Sequence, residues 1–259
     1  MSEIQRPGAL YQQVAAAIRE AILKGEYEPG APLPSEAQLM ERYQVSRPTV
    51  RNAVAALRAE GLIDVRHGKG SFVRSDSGPV AGISRYVGKT PAGHFTLYGV
   101  AAWQQTEEPS TYRTHATEAT AHQLELKVED ALFGCDRLLV DPATGARAMH
   151  RTLIPFATAD AVPALAEAPS TEPATVYAML TKAGHKLWWS ETVRARMPLP
   201  DERTALRLPD ATPVMHVSRV TCGTDDQALI LEELRIGTDR TELTYRITAD
   251  KEPSRRRPA

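Results

Sequence analysis

Apolar positions recur at helical spacing in three short runs near the start of the chain, then at strand spacing through most of the remainder. Leu10, Val14, Ala17, Ile18, Ala21 and Ile22 fall on one face of an amphipathic helix that ends near Gly25. The Pro29-Gly30 turn leads to Ser35, which is suited to an N-cap, and Gln38 three residues on completes a capping box. Leu39, Met40 and Tyr43 form the stripe of that second helix, and Gln44-Val45 is its break. In the third run Val50, Val54 and Leu57 at i, i+4 and i+7 point inward. Ser46 can cap it, and Pro48 is tolerated because first-turn N–H groups have no intrahelical partner. Gly61 suits the left-handed position that closes a helix. Residues 62–66 and 71–73 flank His67-Gly68-Lys69-Gly70, which predicts a β-hairpin whose two glycines allow a sharp tip close to another surface.

After Arg74 the pattern changes. Ser75 to Pro79 opens a stretch with Gly82, Gly88, Pro91 and Gly93, read as a partly ordered linker over 76–93. Strand patterns follow at 94–103, 111–117, 132–140, 146–154, 187–196, 213–223, 228–236 and 242–248, with helices expected at 119–127, 174–183 and 201–206. Short turns such as Asp141-Pro142-Ala143-Thr144-Gly145 imply an antiparallel sheet, so the fold class is α+β. The expected organisation is a helical head over 1–75, the linker, a sheet domain over 94–250, and a disordered basic tail over 251–259.

Charge sharpens this picture. The chain has 259 residues and a net charge of −1, yet residues 1–75 carry ten basic and eight acidic side chains and the rest carry 21 and 24. Arg47, Arg51 and Arg58 share one face of the third helix, with Asn52 beside them. Helix, turn, helix and wing, with arginines on the outer face, point to DNA: a recognition face on a near-neutral protein fits site-specific binding better than a general attraction to polyanions. Cys135 and Cys222 lie far apart, outside any metal spacing, and read as reduced, buried thiols. No apolar run approaches the ~20 residues of a membrane span, and the opening residues do not read as a signal peptide. A soluble cytoplasmic protein without membrane contact is expected. The seven histidines show no metal-ligand spacing, and no nucleophile motif or glycine-rich phosphate loop occurs, so neither a catalytic residue, a metal nor a cofactor is expected.

The segments LYQQVAAAIREAILKGEYEPGAPLPSE, VSRPTVRNAVAALRAEGLI and RHGKGSFV resemble the N-terminal winged helix-turn-helix of the GntR family of bacterial transcription regulators. The resemblance covers residues 10–73 and implies DNA contacts at Ser46, Arg47, Thr49, Arg51, His67 and Gly68; Asn52, beside the arginines, and Lys69, at the wing tip, are added from their positions. Arg47 and Arg51 would donate to guanine O6 and N7, Ser46 and Thr49 would hold phosphates, and the wing would reach the minor groove. It departs from the family at Ala37, where relatives often carry arginine, and at Asn52, where many carry a basic residue.

More diffusely, residues 94–250 resemble the UTRA effector-binding domain of the HutC branch, which has a chorismate-lyase-like fold. The features are the helix before residue 132, the Leu132–Leu139 strand before a turn, Thr175-Val176-Tyr177 opening a helix, and Thr238-Asp239-Arg240. That resemblance places effector contacts at Arg137, His150 and Thr175, residues that fit a structural role equally well; Leu139 and Ile230 stand where sugar-phosphate-sensing relatives carry an arginine and an acid. Trp103, Tyr98, Trp188 and Trp189 could line an apolar pocket or simply fill the core. The implied protein is a homodimeric, ligand-responsive repressor that binds a two-fold symmetric double-stranded operator, its affinity altered by a small-molecule effector. The alternatives are a regulator whose second domain only dimerises, and an enzyme built on the chorismate-lyase-like fold.

Overall fold

The computed structural model describes residues 9–66, 68–75, 79–91, 93–97 and 99–247. His67, Tyr98 and the tail expected over 251–259 lie outside the described residues.

The head comprises α1 (Leu10–Leu23), α2 (Glu36–Tyr43), α3 (Arg47–Ala59) and a hairpin of β1 (Ile63–Arg66) and β2 (Gly70–Val73). Val14, Ile18, Leu39, Val50, Ala53, Leu57, Ile63 and Val73 meet in a single core. That core explains the periodicity, with two adjustments: Leu10 is exposed at the start of α1, and Ala15 and Ala53 are buried as well. The expected capping box is present, for Ser35 N–H donates to Gln38 Oε1 at 2.9 Å and Gln38 N–H donates to Ser35 Oγ at 3.4 Å. Ser46 occupies the N-cap position of α3, but its hydroxyl lies 2.9 Å from Thr49 Oγ1 and makes no bond to the backbone there. Gly61, at φ +76°, closes α3 as anticipated: Leu62 N–H reaches Leu57 O and Gly61 N–H reaches Arg58 O, both at 3.0 Å, the paired bonds of a Schellman motif.

The second part begins with β3 (Ala81–Ser84), β4 (Val87–Lys89) and β5 (Phe95–Leu97), then a 3-10 turn over Val100–Ala102 and β6 (Gln104–Gln105). There follow β7 (Ser110–His115), α4 (Glu118–Leu124), β8 (Ala131–Val140), β9 (Arg147–Pro155), α5 (Phe156–Ala161), α6 (Pro163–Glu167) and α7 (Pro173–Lys182). The described chain ends with β10 (Trp188–Arg196), α8 (Pro200–Leu206), β11 (Val214–Cys222), β12 (Ala228–Gly237) and β13 (Thr241–Thr244). The sheet runs β10-β11-β12-β9-β8, with β6 and β7 both pairing with β8, and every pairing within it is antiparallel. The fold class is thus α+β, as the alternating patterns implied.

Three stretches differ from expectation. The segment read as linker holds β3 and β4, and β3 pairs in parallel with β13 while Ile83 is fully buried. Apolar residues there are too few to signal strands alone; the partner strand some 160 residues later supplies the hydrogen bonds. The strand expected over 94–103 stops at Leu97 and turns at Gly99, whose φ is +110°. Between β9 and α7 the chain adds α5 and α6, two short helices that bury Ala159 and Leu165.

One face of the sheet carries two apolar clusters. Phe133, Ile154 and Ile230 pack with Tyr177 and Leu180 of α7 at one end; Leu139, Ala148, Val217, Leu234 and Ile236 pack with Ile83 at the other. Charged side chains occupy the space between them.

Candidate nucleic-acid interface and a charged cavity

On α3, the short turn after α2 leaves Arg47 and Arg51 outward and solvent-exposed while Val50 and Leu57 fill the core. Both arginines meet Glu36, the first residue of α2: Arg51 Nε donates to Oε1 at 3.0 Å and Arg47 Nε lies 3.1 Å from Oε2. Thr49 is half-buried, and Ser46, Asn52 and Lys69 are exposed. The wing turns through Gly68 at φ +71°, with Lys69 N–H donating to Arg66 O at 2.9 Å, and Arg66 stacks 4.3 Å from the Phe72 ring centroid. Of the residues expected at DNA, Ser46, Arg47, Thr49, Arg51 and Asn52 lie along the N-terminal half of α3, and Gly68 and Lys69 are at the wing tip.

The far end of α3 is attached to the second part of the chain. Arg58 Nε donates to Asp210 Oδ2 at 2.7 Å, Arg203 reaches the same carboxylate, and Arg74 donates to the Asp210 carbonyl. The two arginines hold the Asp210 carboxyl below its ordinary value, Arg58 most strongly. A crevice of about 510 Å³ opens here, lined by Arg51, Val54 and Arg58 on one side and Met197, Asp210 and Ala211 on the other.

Between the two apolar clusters of the sheet lies a cavity of about 210 Å³. A row of directly opposed side chains runs past it, Glu191 on β10, Arg219 on β11, Glu232 on β12 and Thr152 on β9; Arg219 and Glu232 line the cavity, as do Arg137 on β8 and His150 on β9, opposed to each other two residues along. Leu97, Val100 and Trp103 form the apolar wall. Arg219 Nε donates to Glu191 Oε2 at 2.7 Å, and Arg85 holds the same carboxylate through two bonds of 3.0 and 2.7 Å. Burial raises the Glu191 carboxyl, but Arg85 and Arg219 outweigh it and the net shift is downward. Burial also raises the Glu232 carboxyl, yet His150, 3.4 Å away, and Arg219 outweigh it and the net shift is downward. The Tyr177 hydroxyl, pushed up by burial and by Glu232 itself, stays protonated and donates to that carboxylate.

Arg137 is different. Only 4% exposed, it donates through Nη2 to the carbonyls of Ser170 and Thr171 at 2.8 and 3.2 Å. Its Nε is buried with no hydrogen-bond partner among the described residues, and the Glu172 carboxylate 3.8 Å away is largely exposed. A buried cation without a buried counter-charge is costly unless something else completes it.

Of the residues expected at an effector, Arg137 and His150 both line this cavity. Thr175 is exposed and outside the lining; Glu172 and Pro173 stand there instead, because Pro173 opens α7 two residues earlier and turns Thr175 outward. Ile230 is core, and the acid of that strand is Glu232 two residues on, on the same face. Among the tryptophans Trp103 lines the cavity, Trp189 packs between Phe95 and Tyr177, and Trp188 bonds Asp226 at the surface. Sequence reasoning missed Arg85, Arg219 and Glu232. A legible signal existed, since Glu232 and Arg219 break an otherwise apolar inward alternation on their strands.

The helix–turn–helix, the wing and the outward arginines define residues 10–73 as a winged helix-turn-helix DNA-binding head. Residues 10–73 match the family described as bacterial regulatory proteins, gntR family. Over 74 residues the chain is 45% identical to the Uxu operon transcriptional regulator of Escherichia coli, covering 29% of this chain and 28% of that protein. Over 119 residues it is 34% identical to the transcriptional repressor NanR of Cronobacter sakazakii, covering 45% of each. The chain spans between 28% and 52% of the length of the curated relatives it matches. A crystal structure described as a GntR-family transcriptional regulator shares the fold, with a TM-score of 0.68 and 22% identity over 94% of this chain and 99% of that one. Among the described residues, no helix is long and apolar enough to cross a membrane.

Proposed function

We propose that the chain is a cytoplasmic, ligand-responsive transcription regulator of the HutC branch, acting as a homodimeric repressor with a UTRA-type effector domain. The observation that carries this reading is the unfilled Nε of buried Arg137 in a cavity on the same chain as a DNA-binding head. Arg47 and Arg51 read guanine edges in the major groove, Ser46 and Thr49 hold phosphates, Asn52 lies beside them, and His67, Gly68 and Lys69 meet the adjoining groove. In the second domain Arg137 supplies a buried cation for an acidic group of the effector, His150 and Glu232 offer hydrogen bonds, and Trp103 covers an apolar part. Two heads on one dimer read half-sites related by a two-fold axis. Effector binding favours one placement of the heads over another through the Asp210 contacts with Arg58 and Arg74, and thereby alters operator affinity. The description of the relative NanR as a repressor supports this direction of control.

Native mass spectrometry of the purified full chain, followed by identification of any co-purified compound, tests the reading. A small anionic compound is expected, released unchanged and absent from Arg137→Ala. A compound that is turned over would instead make the second domain an enzyme. A compound retained equally by Arg137→Ala would remove Arg137 from the site.

A further inference from the structure

We propose that Glu36 is a specificity-determining residue for DNA reading, whose one carboxylate holds Arg47 and Arg51 side by side and withholds both from indiscriminate contact with phosphate. The inference rests on the reading of those arginines as base-reading residues. The geometry is simple. Glu36 opens α2 and Arg47 opens α3, and the turn between them sets the two helix starts together. Each carboxylate oxygen serves a different arginine, Oε1 taking Arg51 Nε at 3.0 Å and Oε2 facing Arg47 Nε at 3.1 Å.

These three side chains have little reason to meet for the sake of folding. Arg47 and Arg51 are 61% and 63% exposed and Glu36 is 37% exposed, and ion pairs that open to water contribute little to stability. Their arrangement does have a consequence at a DNA surface. Each arginine meets Glu36 through Nε, the inner nitrogen of its guanidinium, while the two terminal amino groups are the pair that grips guanine O6 and N7 end-on. Two long side chains are also narrowed to few rotamers before DNA arrives, which lessens the ordering cost of reading bases. The acid removes one of the two positive charges that the pair would present. Phosphate attraction, which carries no sequence information, is weakened more than contact with a base edge. Glu36 is therefore a positioning residue that acts through Arg47 and Arg51.

The full chain is used to select a duplex from a random library, and binding to that duplex and to a shuffled duplex of the same composition is followed by fluorescence anisotropy over a range of salt. For Glu36→Gln the ratio of selected to shuffled affinity is expected to fall about tenfold, mostly through tighter binding to the shuffled duplex, with a steeper salt dependence. Glu36→Asp keeps the charge on a shorter arm that cannot span both arginines. Its ratio is expected to fall while the salt dependence stays that of the wild type. Circular dichroism establishes that each variant is folded. If both folded variants keep the wild-type ratio, or lose affinity for the two duplexes in equal proportion, Glu36 merely ends a helix and the inference fails. Loss of the folded head in both would likewise make it a structural residue and overturn the proposal. A wild-type chain that selects no sequence at all defeats the underlying reading instead, and the inference with it.

Discussion

Arg47 and Arg51 stand about one turn apart on α3, and the roles proposed for them separate affinity from sequence discrimination. Arg51→Ala should lose ~1–3 kcal/mol of binding to a selected duplex while leaving weak, salt-sensitive binding to random DNA. Gel-shift titrations on both duplexes check this, and an equal loss on the two would remove the base-reading role. At the wing, Gly68 sits at φ +71° with open space around it, so a side chain there meets conformational strain rather than a neighbour. Gly68→Val should weaken DNA binding and leave the melting of the second domain unchanged; wild-type affinity in that variant would mean the wing does not touch DNA. On the reverse face of the sheet, Glu233 is buried against its ionisation, but His216 and Arg235 hold its carboxyl down to about 2 from an ordinary 4.5. A lowered carboxyl stabilises the fold above its ordinary value and ceases to do so as the pH falls toward 2. Glu233→Gln should therefore cost roughly 1–3 kcal/mol near neutrality and flatten the fall in melting temperature between pH 5 and 2. Parallel acid slopes for variant and wild type would show that the group is not responsible.

At the scale of elements, the head was readable because its signals are local. The Ser35–Gln38 box, the Gly61 closure and the 50–57 stripe each involve residues within a few positions of one another, and each recurs in the structure. The long strands of the second part were legible for a related reason, since each combines a run of buried residues with a stretch of alternation over nine or ten positions. What escaped depends on distant partners. β3 is a strand because β13 is beside it, and Ile83 is core because the sheet face lies beneath it. The cavity was half legible. Arg137 and His150 were found by resemblance, whereas Arg85 and Arg219 become site residues only when β10 and β11 bring Glu191 between them. The junction of α3 with the segment after α8 was invisible for the same reason, as Arg58 and Asp210 are 152 positions apart. Asp210→Ala frees Arg58 and loosens the head, so affinity for a selected duplex should change by up to about 1 kcal/mol, roughly fivefold, although Asp210 lies outside the head. Anisotropy titration of that variant settles the matter, and unchanged affinity would mean that the junction does not influence DNA reading.

For the whole molecule, the decisive property is the number of heads. One helix-turn-helix unit covers too little DNA for tight specific binding, and the apolar faces of α1, α2 and α3 are consumed in their own core. On the proposed reading dimerisation falls to the second domain, and a fragment of residues 1–75 should be monomeric and bind far more weakly than the full chain. An effector that fills the cavity at Arg137 should change the affinity of the full chain by roughly 5–150-fold, the usual size of coupling between two sites. The most direct test is analytical ultracentrifugation of the full chain with a duplex it has itself selected. The account predicts a dimer without DNA and two chains on one duplex whose half-sites are inverted repeats. A monomer that occupies a single half-site would contradict it.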